Sequence, residues 1–208
     1  MSRPSRNVDK RMLEVAKRIV CKRGCSGIRI REIAAKAHAN LGMFHYHFKS
    51  KRKFTRLLLQ EYYDEFFKRL TTAASDGNSA IEQVRSVLLA AALYVRQEHQ
   101  FYAALLKDIL NENEEVLKFV RENFPKHIKL MRELILRAQE EGDMAQMPFP
   151  QLISFLMTSL NFPTLIALTV ADRGGEAKRN EFKMRVDDVA SHTAIEQRLD
   201  MALKGVLP

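Results

Sequence analysis

Cysteine is almost missing from this chain. Cys21 and Cys25 are the only two, one helical turn apart, with no second pair to complete a zinc site. A disulfide framework is therefore excluded, and two reduced, partly buried thiols are expected, as in a reducing cytoplasm. Strand signals are missing too: no alternating run of apolar and polar residues appears, nor any internal repeat, so the chain reads as all-α. No glycine-rich phosphate loop, nucleophile elbow or zinc-binding helix appears, and the six histidines are scattered. Catalysis is not expected on that pattern, nor is a cofactor or a metal.

Charge is absent from one long stretch. Met144 to Ala171 carries none, and Leu152 to Ala171 is a largely apolar run long enough to cross a bilayer at ~20 residues. It holds Ser154, Thr158, Asn161, Pro163 and Thr164, however, and no cluster of positive charge sits immediately beside it. The buried core of a helical protein is expected, or else a subunit interface, and no membrane partner. Residues Met1 to Asn7 carry charge but no apolar core, which reads as a flexible basic arm (1–7) rather than a secretory signal.

Acidic residues are rare at one end. Residues 1–56 hold sixteen Lys and Arg against Asp9, Glu14 and Glu32, whereas 57–208 hold eighteen basic and twenty-two acidic residues. The sums are +13 and −4, which add to the +9 of the whole chain. A basic first quarter on a mildly acidic remainder points to a polyanion at one end.

What is present is helical periodicity. Helices are expected over about Val8–Arg23, stopped by Gly24, and over Ile30–Ala37, burying Ile30, Ile33, Ala34 and Ala37. A fourth, Lys51–Thr72, is capped by Ser50 and buries Phe54, Leu57, Leu58, Tyr62, Phe66 and Leu70. Ser79–Glu82 forms a capping box ahead of a fifth. A sixth, about Gln100–Leu110, carries Phe101, Leu105 and Leu106. Pro125 should end or kink the long pattern Glu114–Glu141, and Pro163 should bend the helix that begins near Pro148 or Pro150. Residues 173–190, with Gly174-Gly175, are expected to be an exposed connection before a last helix from about Thr193.

Between the second and fourth helices lies His38-Ala-Asn-Leu-Gly-Met-Phe-His-Tyr-His-Phe48. Asn40 is a good N-cap for two turns of helix from Leu41, in which only Phe44 and Phe48, at i and i+4, need to face inward. Leu41, Met43, His45, Tyr46 and His47 point elsewhere. Two short helices, a tight turn and the basic run Lys49–Lys53 describe a helix-turn-helix whose second helix enters the major groove of double-stranded DNA. His45 and His47 do not face each other and make a poor metal pair.

The pattern Met12-Leu13, Ala16, Gly24, Ile30-Arg31-Glu32-Ile33-Ala34, Ala37, Gly42, His47-Phe48 and Ser50-Lys51 resembles the TetR family of bacterial transcription regulators. The resemblance covers residues 9–54. It implies an N-terminal three-helix DNA-binding domain (1–50) followed by a helical effector-binding and dimerisation domain (51–208). It also implies a homodimeric cytoplasmic repressor that binds a palindromic operator, pairs through its last two long helices and is released by a small apolar effector. Carried over position by position, Arg31, His45, His47 and Lys51 are expected on phosphates, and Leu41, Gly42, Met43 and Tyr46 at base edges, with Asn40 capping the helix that bears them. Met131, Leu134, Met157 and Asn161 fall on helices that line the effector cavity in the family.

The chain departs from the family pattern at Arg29, where a Thr or Ser cap is usual, and at His38, where the turn usually has glycine. The alternative is a helical carrier of lipids or small molecules whose basic patch touches a membrane surface. A nucleic-acid binder indifferent to sequence is a further rival.

Overall fold

The computed structural model describes residues 7–181 and 185–208, with side chains described for 7–173 and 185–208. Among the described residues every regular element is helical. The arm expected over 1–7 lies outside them except for Asn7, which precedes the first helix.

Cα packing groups the chain into two compact units. One runs up to Asp64 and takes in Gln100–Asn123; the other comprises Glu65–His99 and Phe124–Pro208. Neither unit coincides with the segments 1–50 and 51–208.

In the first unit α1 (Val8–Arg23) is followed by a 3₁₀ turn (Cys25–Gly27), α2 (Ile30–Lys36), α3 (Leu41–Phe48) and the start of α4 (Lys51–Ala73). Helix α1 buries Met12, Ala16, Ile19 and Val20, the stripe its periodicity predicts. Phe44, Phe48 and Phe54 meet as a ring cluster with centroids 4.6–5.2 Å apart, which pins α3 to α4. Each such ring contributes about 1.5–3 kcal/mol by leaving water. Ser50 accepts from the Lys53 N–H at 3.2 Å, capping α4 as expected. The α4 stripe differs at one position: Leu57 is exposed and Leu59 is buried. From Phe54 the inward row steps by four to Leu58 and Tyr62, and Leu57 falls outside that row.

Helix α6 (His99–Leu110) adds Phe101, stacked on Tyr62 with centroids 3.7 Å apart. Leu106 is exposed, and Asp108 takes an inward position. Helix α7 (Glu114–Glu140) runs through Pro125 without ending there. Proline costs about 3 kcal/mol in a helix interior, but buried Val116 and Phe119 before it and His127, Met131 and Leu134 after it supply packing on both sides.

The second unit is built on α5 (Ala80–Gln97), α8 (Phe149–Glu181), α9 (Val186–Ala190) and α10 (His192–Lys204). The capping box is present: Ser79 accepts from Glu82 N–H while the Glu82 side chain accepts from Ser79 N–H. Pro163 lies within a continuous α8, and that helix carries on past Gly174-Gly175 to Glu181. The connection expected over 173–190 is thus helical to Glu181 and again from Val186, while 182–184 lie outside the described residues.

Helix α8 is long and apolar enough to cross a membrane, by length and composition. It is not buried all round. Leu152, Leu156, Leu160, Thr164, Ala167 and Ala171 are covered, whereas Phe155, Phe162, Ile166 and Val170 are exposed. The expectation of a wholly buried core helix fails within one chain, because α5, α9 and α10 pack on α8 and leave that outer row uncovered.

Candidate nucleic-acid interface

Helix α2 begins without help from Arg29, whose side chain makes no capping bond. Its far end is well closed. The His38 N–H donates to Ala35 C=O at 3.1 Å and the Ala39 N–H to Ala34 C=O at 2.9 Å, the paired bonds of a Schellman motif. That motif requires the left-handed backbone found at His38, φ 51°. Histidine therefore occupies the glycine position at some cost in strain. Arg11 Nε also donates to Ala37 C=O at 3.1 Å, tying α1 to the same end.

The turn delivers Asn40, whose side-chain oxygen accepts from Met43 N–H at 2.8 Å, as its N-cap role predicts. The side chains of Leu41, His45, Tyr46 and His47 are exposed, as is Gly42; Tyr46 and Gly42 lie across the helix from Phe44 and Phe48. Tyr46 is 71% exposed and Leu41 40%, so α3 shows water an aromatic and an aliphatic side chain. Met43 is half-buried and packs against the core of this unit, so it turns less outward than its neighbours. A Cβ at Gly42 would meet only Asn40 Oδ1, at 3.2 Å, and the helix surface there is bare.

Positive charge frames this face. Arg31 and Lys51 are exposed, and among the described residues neither forms an ion pair. Arg52 is committed elsewhere, 2.9 Å from Glu115. Lys49, whose φ of 65° ends α3, holds its ammonium 5.6 Å from the centre of the Tyr46 ring. Sequence reasoning placed Lys49 in a basic run and missed this contact, which depends on the backbone turn that ends the helix. His45 Nδ1 lies 3.4 Å from Lys49 C=O; a carbonyl oxygen only accepts, so that bond puts the imidazole proton on Nδ1.

The scaffold behind the face is ionic at its edge. Glu32 accepts from Arg23 at 2.6 Å and Lys36 at 2.9 Å, and these bonds, Arg23's first, hold its carboxyl down to about 2. Asp108, buried on α6, accepts from the Cys25 N–H at 2.5 Å. Burial first, and then that neighbouring carboxyl, push the Cys25 thiol up to about 12. Nothing near Asp108 in sequence announces this contact, since its partner is 83 residues away.

The residues expected around an effector are arranged differently. Met131 and Leu134 are buried in α7, and Met157 and Asn161 are half-buried on α8. Asn161 Nδ2 donates to Met157 C=O at 2.9 Å, but its buried Oδ1 has no partner. None of the four lines the cleft of about 300 Å³ in the first unit, which is bounded by Cys25, Ser26, Lys51, Thr55, Asn113 and their neighbours. Among the described residues no three His, Cys, Asp or Glu side chains come together as metal ligands.

Residues 12–56 match the family described as bacterial regulatory proteins, tetR family. The "Probable HTH-type transcriptional regulator YttP" of Bacillus subtilis (strain 168) is 24% identical over 157 residues, covering 74% of this chain and 76% of that relative. Among solved structures, the ketosteroid transcriptional regulator KstR2 of Mycobacterium tuberculosis is 17% identical with a TM-score of 0.70, covering 100% of this chain and 97% of its own. The TetR family transcriptional regulator PfmR of Thermus thermophilus is 17% identical with a TM-score of 0.66, covering 93% of this chain and 97% of its own. At those identities the two structures speak for the fold; the matched segment spans the helix-turn-helix itself. The helix-turn-helix of residues 12–56 is thus of the TetR family, and the chain is a DNA-binding transcription regulator.

Proposed function

We propose that the protein acts as a homodimeric repressor on a palindromic operator in the cytoplasm, and that a small apolar effector releases it. The observation that carries this reading is the outer row of α8. Phe155, Phe162, Ile166 and Val170 are 45, 53, 44 and 49% exposed and recur at helical spacing along one side. A contiguous apolar row of this kind marks an interaction site. A second copy of the same chain, paired through α8 and α10, is the occupant that the family membership supports. Met201 on α10 is also 64% exposed.

Two recognition helices would then address successive major grooves ~34–36 Å apart. Arg31, His45, His47 and Lys51 are assigned to phosphates, which fix register. Leu41, Gly42 and Tyr46 are assigned to base edges, with half-buried Met43 beside them. The likeness to a ketosteroid regulator supports an apolar effector, and the segment around Met131, Leu134, Met157 and Asn161 is where one is expected. Coupling requires that the effector bind the DNA-incompetent state more tightly.

Sedimentation of the full chain tests the reading, followed by selection of bound sequences from random duplexes. A dimer that recovers a two-fold symmetric consensus supports it. A monomer that remains single on DNA, or equal retention of scrambled duplexes, overturns it.

A further inference from the structure

We propose that α3 reads its half-site chiefly through the C5-methyl groups of pyrimidines, with Leu41 and Tyr46 as the specificity-determining residues; this rests on α3 being the recognition helix. The argument begins with what α3 does not carry. Leu41-Gly-Met-Phe-His-Tyr-His-Phe48 contains no Arg, Lys, Asn, Gln, Asp or Glu. Bidentate recognition of guanine needs Arg or Lys, and that of adenine needs Asn or Gln. The nearest amide, Asn40, has its oxygen bound to the Met43 N–H. The nearest ammonium, Lys49, lies over the Tyr46 ring.

Apart from His45 and His47, assigned to phosphates, what α3 projects is Leu41 and Tyr46. Tyr46 lies about 140–180° around the axis from Phe48 and Phe44, near the middle of the outward face. Gly42, one turn earlier on the same line, leaves the helix bare, so the backbone and the Tyr46 ring can approach a groove floor together. Leu41, 40% exposed in the first turn, stands at the end of α3 that enters the groove first in such motifs. In the major groove the apolar feature of a base pair is the thymine C5-methyl. Cytosine presents a bare C5 at the equivalent edge, and 5-methylcytosine restores a methyl there. The contact is therefore with the methyl group, whichever pyrimidine bears it.

The test uses the full chain and a duplex recovered from a random library. Each thymine in turn is replaced by deoxyuridine, which keeps every hydrogen bond and removes only the methyl. Each cytosine is replaced in a second series by 5-methylcytosine. Loss of one buried methyl should weaken binding about fourfold. One or two positions per half-site are expected to respond in the wild type. Leu41→Ala should abolish the uridine effect at one of them and Tyr46→Ala at another. At least one 5-methylcytosine placement should tighten binding by a similar factor.

If uridine duplexes bind like thymine duplexes at every position while Leu41→Ala and Tyr46→Ala still alter sequence preference, methyl reading is overturned and α3 keeps its role. If both variants, folded by their thermal transitions, leave affinity and preference unchanged, the assignment of α3 itself falls, and this inference with it.

Discussion

Gly24 shows how closely one position is specified. Its φ of 75° and ψ of 177° fall in a region open essentially to glycine alone. A Cβ there would also lie 2.8 Å from both carboxyl oxygens of Asp108. Gly24→Ala should cost more than about 2 kcal/mol, lowering the melting temperature by at least ~4–8 °C, as calorimetry would show. His127 sits against the rings of Phe66 and Phe124, with centroids 5.5 and 4.5 Å away, and burial lowers its pKa to about 4. The unfolded chain takes up that proton near pH 6.5, and the folded chain resists it until about pH 4. Stability should therefore fall as pH drops from about 6.5 to 4, by up to about 3 kcal/mol, with no further loss from this residue below that. Denaturant midpoints against pH should show the decline, and His127→Phe should flatten it. Gly24 as a helix stop was legible in the sequence. Asp108 and His127 as interior residues were not, because each is enclosed by segments distant along the chain.

Elements were readable where a local rule had no competitor. Asn40, Ser50 and the Ser79–Glu82 box each cap the helix they announce. Elsewhere long-range packing decided: Pro125 does not end its helix, and Leu57 yields its inward place to Leu59. Within the helix-turn-helix the cap Asn40 and the buried rings Phe44 and Phe48 were legible, whereas the half-burial of Ile30 and Met43 depends on neighbours brought in by folding. The turn itself invites a test. His38 holds a left-handed conformation that glycine adopts without strain, so His38→Gly should stabilise by about 0.5–1 kcal/mol, read as a rise of ~1–4 °C in melting temperature. At the start of α4, Lys51→Ala should weaken every duplex to a similar degree and reduce the slope of log K against log salt by about 1.

At the scale of the whole molecule the decisive surface is the outer side of α8. Its apolar composition was plain in the sequence, but how much of it one chain covers was not, because that depends on where α5 and α10 fall. Phe162→Glu should leave helical content unchanged by circular dichroism and yield a monomer in sedimentation. Specific duplex affinity should fall by at least ~10³, since each half-site would then be bound alone. A dimer that survives this change would place the contact elsewhere.

The lack of formal charge on α3 separates two properties that DNA-binding proteins often merge. On the proposed assignment the charged phosphate contacts, Arg31 and Lys51, flank the reading helix, and the residues that discriminate sequence, Leu41 and Tyr46, lie on it. Raising ionic strength should then loosen the grip on all duplexes by a common factor and leave their ranking intact. A cell's shifting salt would change how much of the genome is occupied without changing which address is preferred.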